Sequence, residues 1–406
     1  MKRLLLFATK IKVLRQARAL GFSVVNFDKV ERVNDERRAN ADVAVAIDWD
    51  DPKDYLTKAM RLHLESPIDA TLAFGEYTVY PAALVREHLG VIGNPLAPVF
   101  TANEKPLLRA LLRSRSDFAV RFQRLERRVP ATEIVGGPSG VGLPLILKPS
   151  NSSGSAGVAL CRDIASVERY LEQYEFASPL LAEEFLDGPE ISVEALSAFG
   201  VHTVLAITAK ETTGSPRFIE TGHRQPAALD AATVAEVEKV VTSMLSLIGH
   251  DLGPSHTELR LTDRGPRIIE THTRPGGDGI ADLTELTTGI DVFFETLKVV
   301  KSICDLGYEG ARAAYKPPAV ARKVYASSQF FLWSAGEVTA VNGVAEAQHA
   351  PGVVELEVKA KTGDFLPEPV DSHSRHGHFV VCAESPEELG DRIVRIREMV
   401  SISVKP

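Results

Sequence analysis

The chain has 406 residues, 44% of them hydrophobic and 25% charged, and Lys+Arg 46 against Asp+Glu 54 gives a formal net charge of −8. That length exceeds one ordinary core and predicts two or three domains, while the balanced composition excludes a disordered or collagen-like chain. An acidic chain of this size does not coat DNA or an anionic membrane, and no apolar run approaches the roughly 18 residues of a membrane span, so neither nucleic acid nor membrane is an expected partner.

The opening MKRLLLFATKIKVL has the basic start and short apolar run of a signal peptide. Lys10 and Lys12 interrupt it and no small-residue cleavage site follows, so a strand over Leu4–Ala8 is expected instead. Ile11–Leu20 has helical periodicity closed by Gly21. Strands are predicted at Val24–Phe27, Ala44–Ile47 and Ala70–Phe74, and a helix at Val79–Leu89 closed by Gly90. Strand–helix alternation over residues 1–95 predicts an open parallel α/β sheet, and no GxGxxG follows its first strand to mark a dinucleotide site. Thr101 with Glu104 is a capping-box pattern opening a helix over Asn103–Arg113. Phe118–Val129, with Arg121, Arg124, Arg127 and Arg128, reads as a solvated basic face.

Further on, Leu143–Leu147 is a short strand, and Leu180–Leu196 reads as two strands around a Gly-Pro turn. Asp230 caps an amphipathic helix that ends at Gly249. His256–Leu261 and Arg267–Thr273 form a hairpin, and Asp282–Ile303 is helical. Pro317-Pro318 marks a joint. Ala319–Val381 is rich in short β-like runs, and Pro386–Val400 closes as a helix, giving a small α+β C-terminal domain. The expected domains are 1–95, 96–315 and 316–406. His373, His376 and His378 sit in a stretch that reads as a solvated loop. Cys161, Cys304 and Cys382 are widely spaced, form no CxxC or zinc pattern, and fit a reduced cytosol.

Four segments carry chemistry. LPLILKPSNSSGSAGVALC, Leu143–Cys161, delivers Lys148 on a strand, followed by a small-residue loop containing Ser153 and Ser155. Such a loop can bring N–H groups and hydroxyls to phosphate oxygens and act as a hairpin lid near 150–157, or be an ordinary hairpin turn. LLAEEFLDGPEISVE, Leu180–Glu194, could read an adenine edge by backbone groups and ribose hydroxyls by Glu190, or be a polar-edged hairpin. In the third segment, a symmetric hairpin about Arg264 puts Glu258 opposite Glu270 and His256 opposite His272. Leu259, Leu261 and Ile269 then take the other face. Opposed like charges destabilise a sheet, and a hard cation such as Mg²⁺ would remove the conflict; two solvated strand carboxylates are the plain alternative. In the fourth, Arg274 can fork onto a carboxylate or phosphate, and Gly276 and Gly277 can turn N–H groups toward an oxyanion.

In this order the segments resemble the ATP-grasp superfamily over about Thr101 to Ile303, and within it the carboxylate–amine ligases of the L-amino-acid ligase and dapdiamide-type branch. The resemblance implies an ATP-grasp fold between the open N-terminal sheet and the small C-terminal domain. It implies Lys105 and Lys148 on the phosphates, and Glu183, Phe185 and Leu186 as the adenine-reading linker. Glu190 would bind the ribose, and Glu258 and Glu270, with His272 as a third candidate ligand, would hold one or two Mg²⁺ ions, with Mn²⁺ as an alternative. Arg274 would steady an acyl phosphate, and Glu220 and His223 would line the amino-acid pocket. His272 departs from the pattern, which has Asn there; histidine is a poor ligand for Mg²⁺, so it contacts phosphate or substrate, or the second ion is held differently. The implied activity is ATP-dependent amide formation from small carboxylate and amine substrates, amino acids among them, releasing ADP and phosphate, in a cytoplasmic protein with a dimer as the family habit. A bicarbonate-using carboxylase, a purine-type ligase and a nucleotide-binding module without turnover stay open as alternatives.

Overall fold

The computed structural model describes residues 1–114, 118–151, 157–214 and 217–405. Its first strand, Arg3–Phe7, is apolar on both faces because both faces are covered. It lies inside a four-stranded parallel sheet, paired with Ser23–Asp28 and Ala70–Ala73, with Val43–Ala46 beyond. Leu5 and Phe7 pack with Phe27, Tyr55 and Val85. Leu4 and Leu6 pack on the other side with Val13, Leu14, Leu297 and Val300. Doubly covered parallel strands read as unbroken apolar runs, as this region does. Leu297 and Val300 belong to the helix Val292–Ala314, so the second core also fastens the N-terminal sheet to the rest of the chain.

Two antiparallel sheets form the walls of a cleft. One has the order Phe122–Leu125, Leu180–Glu184, Leu145–Pro149, Ala159–Cys161. The other has eight strands in the order Gly265–His272, Leu252–Thr262, Glu190–Ala198, Val201–Thr212, Glu220–Gln225, Tyr325–Phe331, Gly377–Ala383, Val353–Val358. Its back is covered by the helix Ala231–Ile248, where Val237, Val241, Met244 and Leu245 meet Ile191, Val193, Leu259 and Ile268. Asp230 starts that helix by accepting from the Thr233 N–H, and Gly249 ends it with a left-handed φ of 74°. Leu180–Glu184 and Glu190–Ala198 therefore lie in different sheets, and residues 185–189 cross between them. Gly188 is required in that crossing. Its φ is +137°, and a Cβ there would stand 1.9 Å from the Leu261 carbonyl oxygen.

Several expectations are corrected. Thr101 lies inside a helix, Leu96–Asn103, and caps nothing; a second helix, Lys105–Leu112, begins afterwards. Pro106, with no N–H to donate back, prevents the two from merging. Asp282–Ile303 is broken at Gly289 into Ile280–Thr288 and Val292–Ala314, and Asp291 caps the second by accepting from the Phe293 and Phe294 N–H groups. The basic segment contains the strand Phe122–Leu125; its four arginines are exposed as expected, although Arg121 also pairs with the buried Glu184. The boundary near residue 316 does not divide the sheets, because Tyr325–Phe331 pairs directly with Glu220–Gln225. The loop around His376 is only partly solvated: His373 is exposed, but Arg375 and His376 are buried, and the His376 ring stacks on Trp333. Among the described residues no helix is long and apolar enough to cross a membrane.

His250, just past Gly249, is buried, and its Nε2–H is placed to donate to the Gly253 carbonyl at 3.2 Å. Burial pushes its pKa down to about 4. Between about pH 6.5 and 4 the unfolded chain therefore binds a proton that the folded chain refuses, so stability falls as pH drops through that window. The loss reaches about 3 kcal/mol from this group. Urea unfolding at pH 7 and pH 4.5 should show one proton less of pH dependence in His250→Gln than in the parent. An equal dependence in both would refute the assignment.

Candidate active site

The site is organised by the hairpin of Leu252–Thr262 and Gly265–His272. Its turn is tighter than the symmetric one expected. Thr262 pairs with Gly265, Leu261 with Pro266, Arg260 with Arg267 and Leu259 with Ile268. Continued unbroken, that register would set Glu270 opposite Thr257, on the wrong face. A β-bulge at Ile269 inserts one residue, and beyond it Glu258 pairs with Glu270 and His256 with His272. The expected pairing is present, then, but by a bulge rather than by symmetry. Ile269 consequently lines the cleft, and Ile268 is the residue in the core, reversing the expected face for Ile269.

The carbonyls displaced at the bulge are held by Arg109, from the helix Lys105–Leu112. Its Nη1 and Nη2 donate to the Ile268 and Ile269 oxygens, each at 2.7 Å, while Nε donates to Glu183 at 2.5 Å. Lys148 Nζ reaches the same Glu183 carboxylate at 2.7 Å. Burial alone would raise the Glu183 carboxyl; Arg109 and Lys148 outweigh it and hold it down at about 2. One guanidinium thus ties both walls of the cleft together. Lys105, one turn earlier, lies 3.2 Å from Glu270.

On the opposite wall Lys210 is buried among three carboxylates, 2.9 Å from Glu190, 2.8 Å from Glu220 and 2.6 Å from Glu258. Burial would lower its pKa, but the three negative charges raise it well above the usual lysine range. His256 bridges Glu194 at 2.5 Å and Glu258 at 3.3 Å, which against its burial pushes it up to about 9. His272 stands between Glu76, 3.2 Å from Nδ1, and Glu270, 3.2 Å from Nε2, and is also raised despite its burial. Glu76 follows the N-terminal strand Ala70–Ala73 and binds Arg274 as well. His272 and Arg274 hold its carboxyl at about 2 against the effect of burial. All three main sheets therefore contribute to one cleft.

Comparison with known proteins follows the same division. The model of the ATP-grasp domain matches residues 141–282, that of the ATP-grasp N-terminal domain residues 14–91, and that of the L-amino acid ligase C-terminal domain 2 residues 329–405. The chain contains an ATP-grasp domain. It is 27% identical over 284 residues to an uncharacterised protein of Sinorhizobium fredii, across 68% of this chain and 56% of that one. It is 26% identical over 251 residues to alanine–anticapsin ligase of Bacillus subtilis, across 55% and 52% of the two chains. The matched part thus spans about half the length of these relatives. The crystal structure of L-amino acid ligase from Bacillus licheniformis superposes with a TM-score of 0.82 at 22% identity, covering 100% of this chain and 99% of that one, and shares the fold.

The ATP-grasp cleft is lined by Lys105, Lys148, Glu183, Phe185, Leu186, Glu190, Glu220, His223, Glu258, Glu270, His272, Arg274 and Gly277, all singled out in the sequence. Ser153 and Ser155, with most of the expected lid, lie outside the described residues. Three expectations change. The Gly276 N–H is donated to Glu194 Oε2 at 2.9 Å and is not presented to an oxyanion. The Phe185 N–H is donated to the Pro144 carbonyl at 3.1 Å, so only its carbonyl is left to face a base. His272 lies between Glu76 and Glu270, which raise its pKa despite burial, so both of its ring nitrogens face carboxylates. Reading the sequence missed Arg109, Lys210, Glu76, Glu194 and Asp278. Only Asp278, inside the Arg-Pro-Gly-Gly-Asp run, carried a local signal; the others gain meaning from partners elsewhere in the chain, 48 residues away for Lys210 and Glu258 and 198 for Glu76 and Arg274.

Arg109→Met would leave two buried carbonyls and half of Glu183 without a donor. Denaturant unfolding should show a loss of about 3–5 kcal/mol, the range for breaking a buried ion pair. A loss under about 1 kcal/mol would mean that the bulge does not need this clamp.

Proposed function

We propose that the chain is an ATP-dependent carboxylate–amine ligase that makes an amide bond from amino-acid substrates. The observation that carries this reading is the pairing of Glu258 with Glu270 on one cleft face, with Lys105, Lys148 and Arg274 lining the same cleft. Its kinship to alanine–anticapsin ligase supports it.

The residues fit Mg²⁺ and ATP. Two carboxylates on one face suit a hard cation that prefers one or two acidic ligands plus phosphate oxygens. Both are held well below the usual carboxylate range despite burial, Glu258 chiefly by Lys210 and Glu270 chiefly by Lys105, so they are ionised and ready to bind. Glu258 and Glu270 would hold the ion, Lys105 and Lys148 the phosphates, and Glu190 the ribose hydroxyls. Leu186 remains in the linker for the base. When bound, Mg²⁺ supplies charge compensation for the transferring phosphoryl group.

The covalent balance is simple. A carboxylate oxygen takes the γ-phosphoryl group of ATP, giving an acyl phosphate and ADP. The neutral amine nitrogen then forms the C–N bond as the C–O bond to phosphate breaks, and the proton that the nitrogen sheds leaves with the phosphate or to solvent. Arg274, fixed by Glu76 and by its own donation to the Pro275 carbonyl, is placed to balance negative charge on the acyl phosphate. Glu220 and His223 face the same cleft and recognise the amino group of the acid being activated. The apolar cover from Phe218 and Ile280 limits water, which would otherwise hydrolyse the intermediate.

ADP and phosphate should therefore appear only when acid and amine are both present, with Mg²⁺ or Mn²⁺. Glu270→Gln and Glu258→Gln should each raise the Mg²⁺ concentration needed for half-maximal turnover by more than the roughly 100-fold cost of losing an outer-shell partner. Release of AMP and pyrophosphate, or full turnover by Glu270→Gln at the parent's Mg²⁺ requirement, would refute the reading.

A further inference from the structure

The two hairpin glutamates differ in how many of their oxygens are left for a metal ion. Lys210 Nζ lies 2.6 Å from Glu258 Oε1, and His256 Nε2 lies 3.3 Å from the same oxygen. Among the described residues every hydrogen bond to Glu258 ends on Oε1, and Oε2 takes none. At Glu270 both oxygens have a neighbour: His272 Nε2 stands 3.2 Å from Oε1, and Lys105 Nζ 3.2 Å from Oε2. His272 is kept in place from its other side as well. Its Nδ1 stands 3.2 Å from Glu76 Oε2, the oxygen that also receives Arg274. The ring is only 8% exposed and stacks on His256, with the centres 6.1 Å apart.

We infer that the cleft binds one divalent cation, shared by Glu258 and Glu270, and that His272 stands where a second ion would need an oxygen. The inference rests on the nucleotide-binding part of the ligase reading above and adds the metal stoichiometry. One ion is well served. Glu258 Oε2 and a lone pair of Glu270, completed by phosphate oxygens and water, make the kind of set that Mg²⁺ prefers. A second ion on the outer side of Glu270 meets two obstacles. The side chain there is an imidazole, whereas Mg²⁺ and Mn²⁺ favour oxygen donors. The Lys105 ammonium also already borders that carboxylate, and like charges repel strongly where water is scarce. The other acidic group of the cleft offers no substitute. Glu220, His223 and Asp278 bring ligand atoms within 4.8 Å of one another. Yet Lys210 lies 2.8 Å from Glu220 and Arg375 lies 2.6 Å from Asp278, so two fixed positive charges already occupy that group. Lys105 and Lys210 thus flank the hairpin pair as built-in cations, and the place left for a metal ion is the one between them.

The test counts Mn²⁺ on the full chain. A nonhydrolysable β,γ-methylene analogue of ATP is held below the protein concentration, so that all of it is bound. Mn²⁺ is then added, and the unbound ion is read from its electron paramagnetic resonance signal. The parent should take up one Mn²⁺ per bound nucleotide, with the spectrum of an isolated ion. His272→Asn, which sets a side-chain oxygen at the same position, should take up two. Its spectrum should be broadened by coupling between ions about 3.5–4 Å apart, the usual spacing of two-metal sites. Two ions per nucleotide in the parent overturn the inference with no variant needed. So does a His272→Asn protein that binds the nucleotide and still holds one. As a second readout, parent turnover at saturating Mg·ATP should not rise with a further tenfold excess of Mg²⁺, and a rise would also overturn the inference. A parent that binds the analogue with no Mn²⁺ at all, or binds no analogue, refutes the ligase reading itself, and the inference falls with it.

Discussion

A single inserted residue decides whether this chain has a site at all. The two-residue turn at Asp263-Arg264 fixes a register that would turn Glu270 into the core. The bulge at Ile269 shifts everything beyond it by one position, which in a strand means a change of face. A bulge displaces main-chain carbonyls from the ladder, and a buried carbonyl without a donor is costly. Arg109 covers both carbonyls and Glu183 with one planar group. The clamp that stabilises the bulge also fastens the small antiparallel sheet against the large one. Carboxylate alignment and cleft width thus have one physical cause.

The charges around that hairpin are arranged for geometry more than for stability. Buried ion pairs gain little net free energy over a well-packed apolar core, because desolvation offsets the attraction. Here Lys210 serves Glu190, Glu220 and Glu258 at once, and Lys105 serves Glu270. Glu258 and Glu270 are thereby held well below the usual carboxylate range despite burial, and the lysines fix the carboxylates in place. A site prepared in this way spends nothing on reorganisation when a cation and phosphates arrive. The two histidines take part as bridges. His256 links Glu258 to Glu194, and His272 links Glu270 to Glu76, so each hairpin glutamate is braced by a second acid through an imidazole.

Local patterns in the sequence were legible wherever the physics is local. Apolar runs marked the parallel strands, Asp230 and Gly249 marked both ends of the long helix, and period-two alternation put Glu258 and Glu270 in one hairpin. The register came out correctly although the assumed symmetric turn did not, because a tighter turn and a bulge compensate one another. Breaks inside helical patterns were harder. Pro106 and Gly289 each end a helix that periodicity alone would have continued. Long-range partners were not legible. Nothing near Arg109 in sequence points to Glu183, and nothing near Lys210 distinguishes it from a solvated strand lysine; each is defined by residues brought together only by the sheets.

The C-terminal part illustrates how far that limit reaches. Its texture suggested an appended domain, yet its strand Tyr325–Phe331 extends the eight-stranded sheet, and Phe330 lies between His223, in edge-on contact, and the guanidinium of Arg375. A sheet that runs unbroken through both parts holds the C-terminal loop in fixed relation to the hairpin. Side chains from residues 325–378 can therefore shape the space beside Asp278 without disturbing the end of the cleft where Lys105, Lys148 and the hairpin glutamates lie. The charges at that end are set by Arg109 and the bulge, and the wall beside Asp278 by a separate loop, so the two can differ independently while one sheet keeps them in register.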